Sequence, residues 1–168
     1  MTPLPSDGGF AIGCGAVTLL LESRQALQRR GRNPRGTILA CSGGLLRADH
    51  LIDDAAHVVS GMQSPRHIIS SANGTWIDRL EAAAMARGAP GAVVSSIYGY
   101  FPETFSVGPL AGIAAAVLGK TLPALQGDVH RLGDRLTAAT GAEATDEVGV
   151  LCTGFNGTVA GAKISVES

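Results

Sequence analysis

Aromatic residues make up only 4% of this 168-residue chain and charged residues only 16%, whereas hydrophobic residues make up 45%. The formal net charge of −1 gives no electrostatic footprint for nucleic acid or for an anionic membrane. The longest apolar run, about residues 110–118, is too short to cross a bilayer. The length fits a single domain over residues 1–168, whose core must be filled by small aliphatic residues and alanine.

Cysteine is scarce as well, with Cys14, Cys41 and Cys152 far apart in the chain. An odd number at such spacing argues against a disulfide framework or a zinc site, so a reducing cytoplasm is expected. The first residues lack the basic region and apolar core of a secretory signal. The four histidines show no metal-ligand spacing and are expected at the surface or in helix caps. No metal and no cofactor are therefore expected.

Glycine is abundant, with 23 residues, and predicts many tight turns. Between the glycines, the apolar patterns predict alternating strands and helices, and hence α/β layers with mixed sheets. Strands are predicted at 10–21, 37–41, 67–71, 92–96, 147–153 and 159–166, and helices at 23–30, 49–59, 76–87 and 108–122. Ser23 and Thr75 are predicted helix caps, and the glycine pair Gly43-Gly44 is predicted to close the second strand. The last helix is almost wholly apolar and is expected to be buried on most sides.

Three short motifs follow one another along the chain. They are Asp-Gly-Gly-Phe-Ala-Ile-Gly-Cys-Gly-Ala at 7–16, Ala-Asn-Gly-Thr at 72–75 and Gly-Phe-Asn-Gly-Thr at 154–158. In this order they resemble the later part of β-ketoacyl synthases, condensing enzymes of the thiolase-like superfamily. The resemblance implies an α/β, thiolase-like layered fold: essentially the C-terminal half plus the last two strands of the N-terminal half, at 10–21 and 37–42.

Those two strands are apolar on both faces, and such strands do not stay at an open edge without inviting association. The resemblance therefore implies that their neighbours come from a ketosynthase-like partner subunit carrying the missing first half. A homo-oligomer or a rearranged fold would also supply neighbours. An acyl carrier protein is a further partner that the resemblance suggests, whereas nucleic acid and membrane are not expected.

The resemblance also locates the family's chemical positions, all of which are substituted. Asn73 stands at the first active-site histidine, and Glu103 stands at the second when residues 106–111 are aligned with the family's small-residue helix. Tyr98 then falls on the family's lysine. Asn73 either points at a thioester oxygen or serves an Asn-Gly turn. Glu103 either acts as an acid or base in a dry site, or is a solvated loop residue.

The two outer motifs carry the remaining candidates. Cys14 replaces the family's glutamate and is read either as a substitute nucleophile or as a small buried residue. The last motif matches a family loop that gives a backbone amide to the oxyanion hole and a phenylalanine that gates the acyl pocket. Phe155 alternatively is a core aromatic residue in a tight connection. The residues assigned to this pocket or oxyanion loop are Phe155, Asn156, Gly157 and Thr158.

The segment 108–116, Gly-Pro-Leu-Ala-Gly-Ile-Ala-Ala-Ala, resembles a helix of chain length factors, which are ketosynthase-like subunits without a competent nucleophile. The resemblance implies a subunit of a polyketide or fatty-acid-type condensing complex, non-catalytic alone, that completes or stabilises the acyl pocket of its partner. One alternative is a split acyltransferase or condensing enzyme that uses a partner cysteine with Asn73 and Glu103. A second is a degraded remnant with only a scaffold role.

Overall fold

The computed structural model describes residues 12–99, 102–105, 107–118 and 146–167. Residues 119–122 of the last predicted helix lie outside the described residues, and so does the polar stretch 128–144, for which the sequence predicts no regular element. The helices and strands are, in chain order, α1 (Arg24–Arg29), β1 (Gly36–Leu45), α2 (Leu51–Gly61), β2 (His67–Ser70), α3 (Trp76–Gly88), β3 (Val93–Ser96), α4 (Gly108–Val117), β4 (Glu147–Thr153) and β5 (Thr158–Val166), with a 3-10 turn at Ile97–Gly99.

All five strands form one mixed sheet in the order β1-β5-β4-β2-β3. Strand β5 runs antiparallel to both of its neighbours, whereas β2 is parallel to β3 and to β4. The α/β class and the mixed sheet predicted from the alternating patterns are confirmed. The predicted caps are confirmed too: Ser23 accepts a hydrogen bond from the Ala26 N–H, and Thr75 accepts one from Ile77.

The two faces of the sheet are covered unequally. Neighbouring residues of a strand point to opposite faces, so Ile68 and Ile69 mark the two sides. Ile68 packs in a buried cluster with α2 and α3, whereas Ile69 packs in a separate cluster with α4. Within the described ranges, one face therefore carries two helices and the other carries a single ten-residue helix.

Strand β1 corrects the predicted division of the chain. It was expected, as segment 37–42, to belong to the N-terminal half, but it pairs with β5 from Gly36↔Val166 to Leu45↔Thr158 in the same sheet as the other strands. Its Gly43-Gly44 pair does not end it, because both glycines keep the extended backbone and stay in register with β5. Apolar residues indicate a strand here but do not specify its neighbours.

The strand predicted at 10–21 is wrong over its described part. Residues 12–21 contain no strand, and Ile12 makes a single isolated bridge to Glu103. Leu20 and Leu21 are 79% and 73% exposed. Strand propensity is satisfied only beside another strand, and no strand of the described residues pairs with this segment. Residues 10 and 11 lie outside the described part.

Helix α4 is less buried than its composition predicts. It is covered on one side by the sheet, and only Gly108, Gly112 and Ala116, which form one stripe, are buried. Leu110 and the adjoining Leu118 are exposed. Among the helices in the described ranges, none has the length and apolar character needed to cross a bilayer.

Candidate functional site

The loop that carries Asn73 is folded around the carboxylate of Asp78. After β2 ends, the backbone N–H groups of Asn73 and Gly74 donate to Asp78 Oδ1 over 2.8 and 3.1 Å. Gly74 has a φ of +90°, a left-handed conformation that favours glycine. Burial raises the pKa of Asp78, and these backbone donors oppose the rise. The backbone of Asn73 thus serves the turn, as one of its two interpretations expects.

The Asn73 side chain leaves this turn and is 1% exposed. Its Nδ2 donates to Glu103 Oε2 over 2.6 Å, and its Oδ1 accepts from the Thr75 hydroxyl over 2.7 Å. Both ends of the amide are therefore engaged by side chains of this chain. Two positions assigned from separate motifs, 30 residues apart, contact each other directly.

Glu103 is 3% exposed, so the expectation of a solvated loop glutamate is wrong. Burial is possible because the carboxylate accepts three hydrogen bonds, from Asn73, from the Tyr98 hydroxyl at 3.1 Å and from the Phe105 N–H at 2.6 Å. Burial, and then the Glu103 carboxylate, raise the pKa of Tyr98 well above its usual value. The phenol therefore keeps its proton and donates a hydrogen bond to the carboxylate.

The segment that carries Cys14 meets the same loop through its backbone. The Gly13 N–H donates to the Glu103 carbonyl over 3.0 Å. A Cβ at Gly13 would lie 2.0 Å from Pro102 Cγ, so only glycine fits this approach. Cys14 follows immediately, and it is exposed rather than a small buried residue. The structure therefore brings the backbone of Gly13, but no buried thiol, to the edge of the site.

The β4–β5 connection is a tight loop. Asn156 Oδ1 accepts hydrogen bonds from the hydroxyl and the N–H of Thr158, at 2.7 and 3.3 Å, and Gly157 has a φ of +78°. Phe155 at its tip is 45% exposed and is therefore not a core aromatic residue. Its ring meets that of Phe105 edge to face, with centroids 5.8 Å apart.

Phe105 links this aromatic pair to Glu103. It is 56% exposed and has a φ of +57°, which is uncommon for a non-glycine residue and costs backbone energy. The short hydrogen bond from its N–H to Glu103 Oε1 offsets that cost. The Phe105 N–H thus joins an exposed aromatic pair to a polar cluster of buried Asn73, buried Glu103 and half-buried Tyr98.

Glu81 is an acidic residue that the sequence interpretation missed. It lies on α3 with no exposed surface and accepts from the hydroxyls of Ser70, Ser71 and Thr153 and from the Ser71 N–H, at 2.5–3.0 Å. Burial raises its pKa, and these donors oppose the rise. Its carboxylate therefore joins the ends of β2 and β4 beside the site.

His67 is another residue placed differently from its expectation. It is buried in β2 rather than at the surface or in a cap, and its Nε2 lies 2.7 Å from the Ser95 hydroxyl on β3. Burial lowers the pKa of its imidazole. Within the ranges that the structure describes, no group of three potential metal ligands comes together.

Cys152 is expected to be the least reactive of the three thiols. It is half-buried at the end of β4, and burial, followed by the Glu81 and Glu103 carboxylates, raises its pKa to about 11. Since the thiolate is the nucleophile, we expect iodoacetamide at pH 8 to label Cys152 roughly a hundredfold more slowly than exposed Cys14 and Cys41. Peptide mass spectrometry over a time course gives the three rates. Equal rates at all three sites would contradict this environment for Cys152.

Comparison with protein-family models gives no match, and no curated protein matches the chain. Solved structures do match. The ishigamide ketosynthase/chain length factor superposes with a TM-score of 0.78 at 19% identity, and a β-ketoacyl synthase from Burkholderia phymatum STM815 with 0.77 at 20%. A type II polyketide synthase acyl carrier protein in complex with its ketosynthase, bound to the hexaketide, gives 0.77 at 16%.

Each of these superpositions covers 99% of this chain and 47% of the solved chain. The chain thus spans about half the length of the structures it matches. At such identities the likeness establishes the fold: α/β, thiolase-like and equivalent to half of a ketosynthase chain. The fold predicted from the three motifs is confirmed at this level, and the C-terminal assignment of that half stays a prediction from motif order.

Proposed function

We propose that this chain, which has the fold of half a ketosynthase, is a subunit of a polyketide or fatty-acid-type condensing complex. It is non-catalytic alone and completes or stabilises the acyl pocket of a ketosynthase-like partner in the cytoplasm. The matched structures support this proposal because they include a ketosynthase/chain length factor and a ketosynthase in complex with an acyl carrier protein. An acyl carrier protein is a second proposed partner.

The contact between Asn73 and Glu103 is the observation that carries the proposal. In the family that the sequence resembles, both positions are histidines that face the acyl thioester. Here each side chain satisfies the other in a buried site, and neither can supply the proton chemistry of imidazole. A carboxylate at the second position also repels a malonyl carboxylate. The cluster therefore favours a structural link between two loops over decarboxylative condensation.

A different proposal uses the same cluster as a partial catalytic site. Buried Glu103 and the protonated, half-buried Tyr98 form an acid–base pair, and a partner cysteine would make a split acyltransferase or condensing enzyme. This alternative predicts that acyl transfer onto the partner cysteine is lost when Glu103→Gln removes the carboxylate. The non-catalytic proposal predicts that loading of the partner is unchanged in the same variant.

The test begins with native mass spectrometry of the tagged chain captured from its own host. A defined heteromer with a ketosynthase-like chain is the expected result, and a homo-oligomer or monomer alone would contradict the subunit role. The purified heteromer and the chain alone are then given an acyl thioester and a malonyl thioester. Extension of the acyl group by the chain alone would overturn the non-catalytic proposal.

A further inference from the structure

Residues 12–21, called the unpaired segment below, have a sequence that is typical of a β-strand but form no strand in the structure. Val-Thr-Leu-Leu-Leu at 17–21 is apolar on both faces, which is typical of a strand in the interior of a covered sheet. In the structure, this segment nevertheless forms no strand, and its two terminal leucines are more than 70% exposed. Such exposure of consecutive large apolar side chains indicates a surface that is covered in the functional state.

The unpaired segment nonetheless lies within the part of the chain that superposes on ketosynthases. The superpositions cover 99% of the chain, which leaves about two of its 168 residues outside, so the segment lies within the matched part. More than half of each solved chain has no counterpart here. We therefore take the unmatched half as the source of the strand neighbours that the segment lacks in the described part of this chain.

The described part of this chain offers the segment no place in its own sheet. The three interior strands, β5, β4 and β2, already have neighbours on both sides, and the segment pairs with neither edge strand, β1 nor β3. Its one strand-like contact is the bridge from Ile12 to Glu103, continued by the Gly13 N–H to the Glu103 carbonyl. It is anchored at the site at one end, and its residues 14–21 make no backbone hydrogen bond to the described part of the chain.

We propose that the unpaired segment is a strand that this chain donates to the sheet of a companion ketosynthase half. The inference rests on the proposed function, because that function supplies the partner. The companion is an α/β chain whose sheet lacks one interior strand and whose faces next to the gap are apolar. The donated strand begins at Ile12, which bridges Glu103. Its insertion therefore brings the companion's sheet beside the cluster of Asn73, Glu103 and Tyr98.

Proline at Leu20 tests the donation, because it removes an N–H and is excluded from interior strands. Leu20 belongs to no strand in the free chain, so Leu20→Pro should leave its urea unfolding midpoint unchanged. We expect it to weaken binding to the co-purified ketosynthase-like chain at least about a hundredfold, as measured by titration calorimetry. The matched variant Leu20→Val keeps the N–H and a strand-forming side chain, and should bind within about threefold of wild type.

Hydrogen exchange read by mass spectrometry gives an independent measurement. Amides of residues 14–21 should exchange freely in the isolated chain and become as protected as those of β4 in the heteromer. If wild type forms no heteromer, the proposed function fails and the donation fails with it. If the heteromer forms but Leu20→Pro binds normally, or the segment stays unprotected, the donation is overturned while the subunit role stands.

Discussion

Replacing Glu81 with alanine is expected to lower the free energy of unfolding by about 3–5 kcal/mol. The substitution removes the acceptor for the Ser70, Ser71 and Thr153 hydroxyls and for the Ser71 N–H, all of which are buried. Those donors come from the ends of β2 and β4, so the sheet loses its link to α3 at the point where the candidate site is built. Urea denaturation followed by circular dichroism measures the change.

Two further variants separate this network from general effects of losing a carboxylate. Glu22→Ala removes an exposed ion pair with Arg30 and should change stability little. Glu81→Gln keeps the shape but has only one acceptor oxygen, so we expect a smaller loss of about 1–2 kcal/mol near neutral pH. A Glu81→Ala variant as stable as Glu22→Ala would show that the buried network does not stabilise the fold.

The pH dependence of stability follows from the raised pKa of Glu81. The folded state holds the proton more tightly than the unfolded state, so the contribution is fully present below the usual pKa of 4.5. It is lost as the pH rises from that value through the folded-state pKa. We expect Glu81→Gln to remove this decline, which unfolding curves between pH 4 and pH 8 would measure.

Replacing Glu103 with alanine is the second large effect, with an expected loss of about 3 kcal/mol. It leaves three donors without their acceptor: the Asn73 amide, the Tyr98 hydroxyl and the Phe105 N–H. The last of these holds Phe105 in its left-handed conformation, so the edge-to-face contact with Phe155 should also separate. Urea unfolding measures the first effect, and nuclear Overhauser contacts between the two rings measure the second.

Glu103→Gln is the control, because it keeps an acceptor for the Phe105 N–H and should preserve the ring contact. A ring contact that persists in Glu103→Ala would contradict a positioning role for the carboxylate. The pair of variants also bears on function. Loss of stability without loss of acyl loading on the partner is the pattern of a structural link, whereas loss of loading in stable Glu103→Gln is the pattern of acid–base catalysis.

The sequence predicted well those elements whose bounds follow from the local apolar pattern and from capping residues. Strand β4 has the predicted bounds, Glu147–Thr153, and α3 begins after the Thr75 cap as predicted. The predictions that failed concern partners rather than propensities. An apolar pattern at 37–42 indicates a strand equally well in either half of the fold, and the same pattern at 10–21 cannot form a strand without neighbours.

The same distinction between local pattern and long-range partner applies to the candidate site. Motif positions identified Asn73, Glu103 and Tyr98, but their mutual hydrogen bonds depend on a close approach between loops that no local pattern encodes. Glu81 was missed because an acidic residue in a helix usually faces water. Its spacing offered a signal, since Ile77 and Ala84, four residues before and three after, lie on the same buried face.

The strand order has a consequence for synthesis of the protein. Strand β1 is the first of the five described strands to leave the ribosome, and its neighbour in the described sheet, β5, is the last, with Gly36 pairing with Val166. Contacts of such high sequence separation form slowly and only after the intervening chain is available. Throughout translation, β1 therefore stays unpaired with no charged residue or proline to block aggregation. We therefore expect chaperone protection of this segment, until β5 has been made, to raise the yield of folded protein.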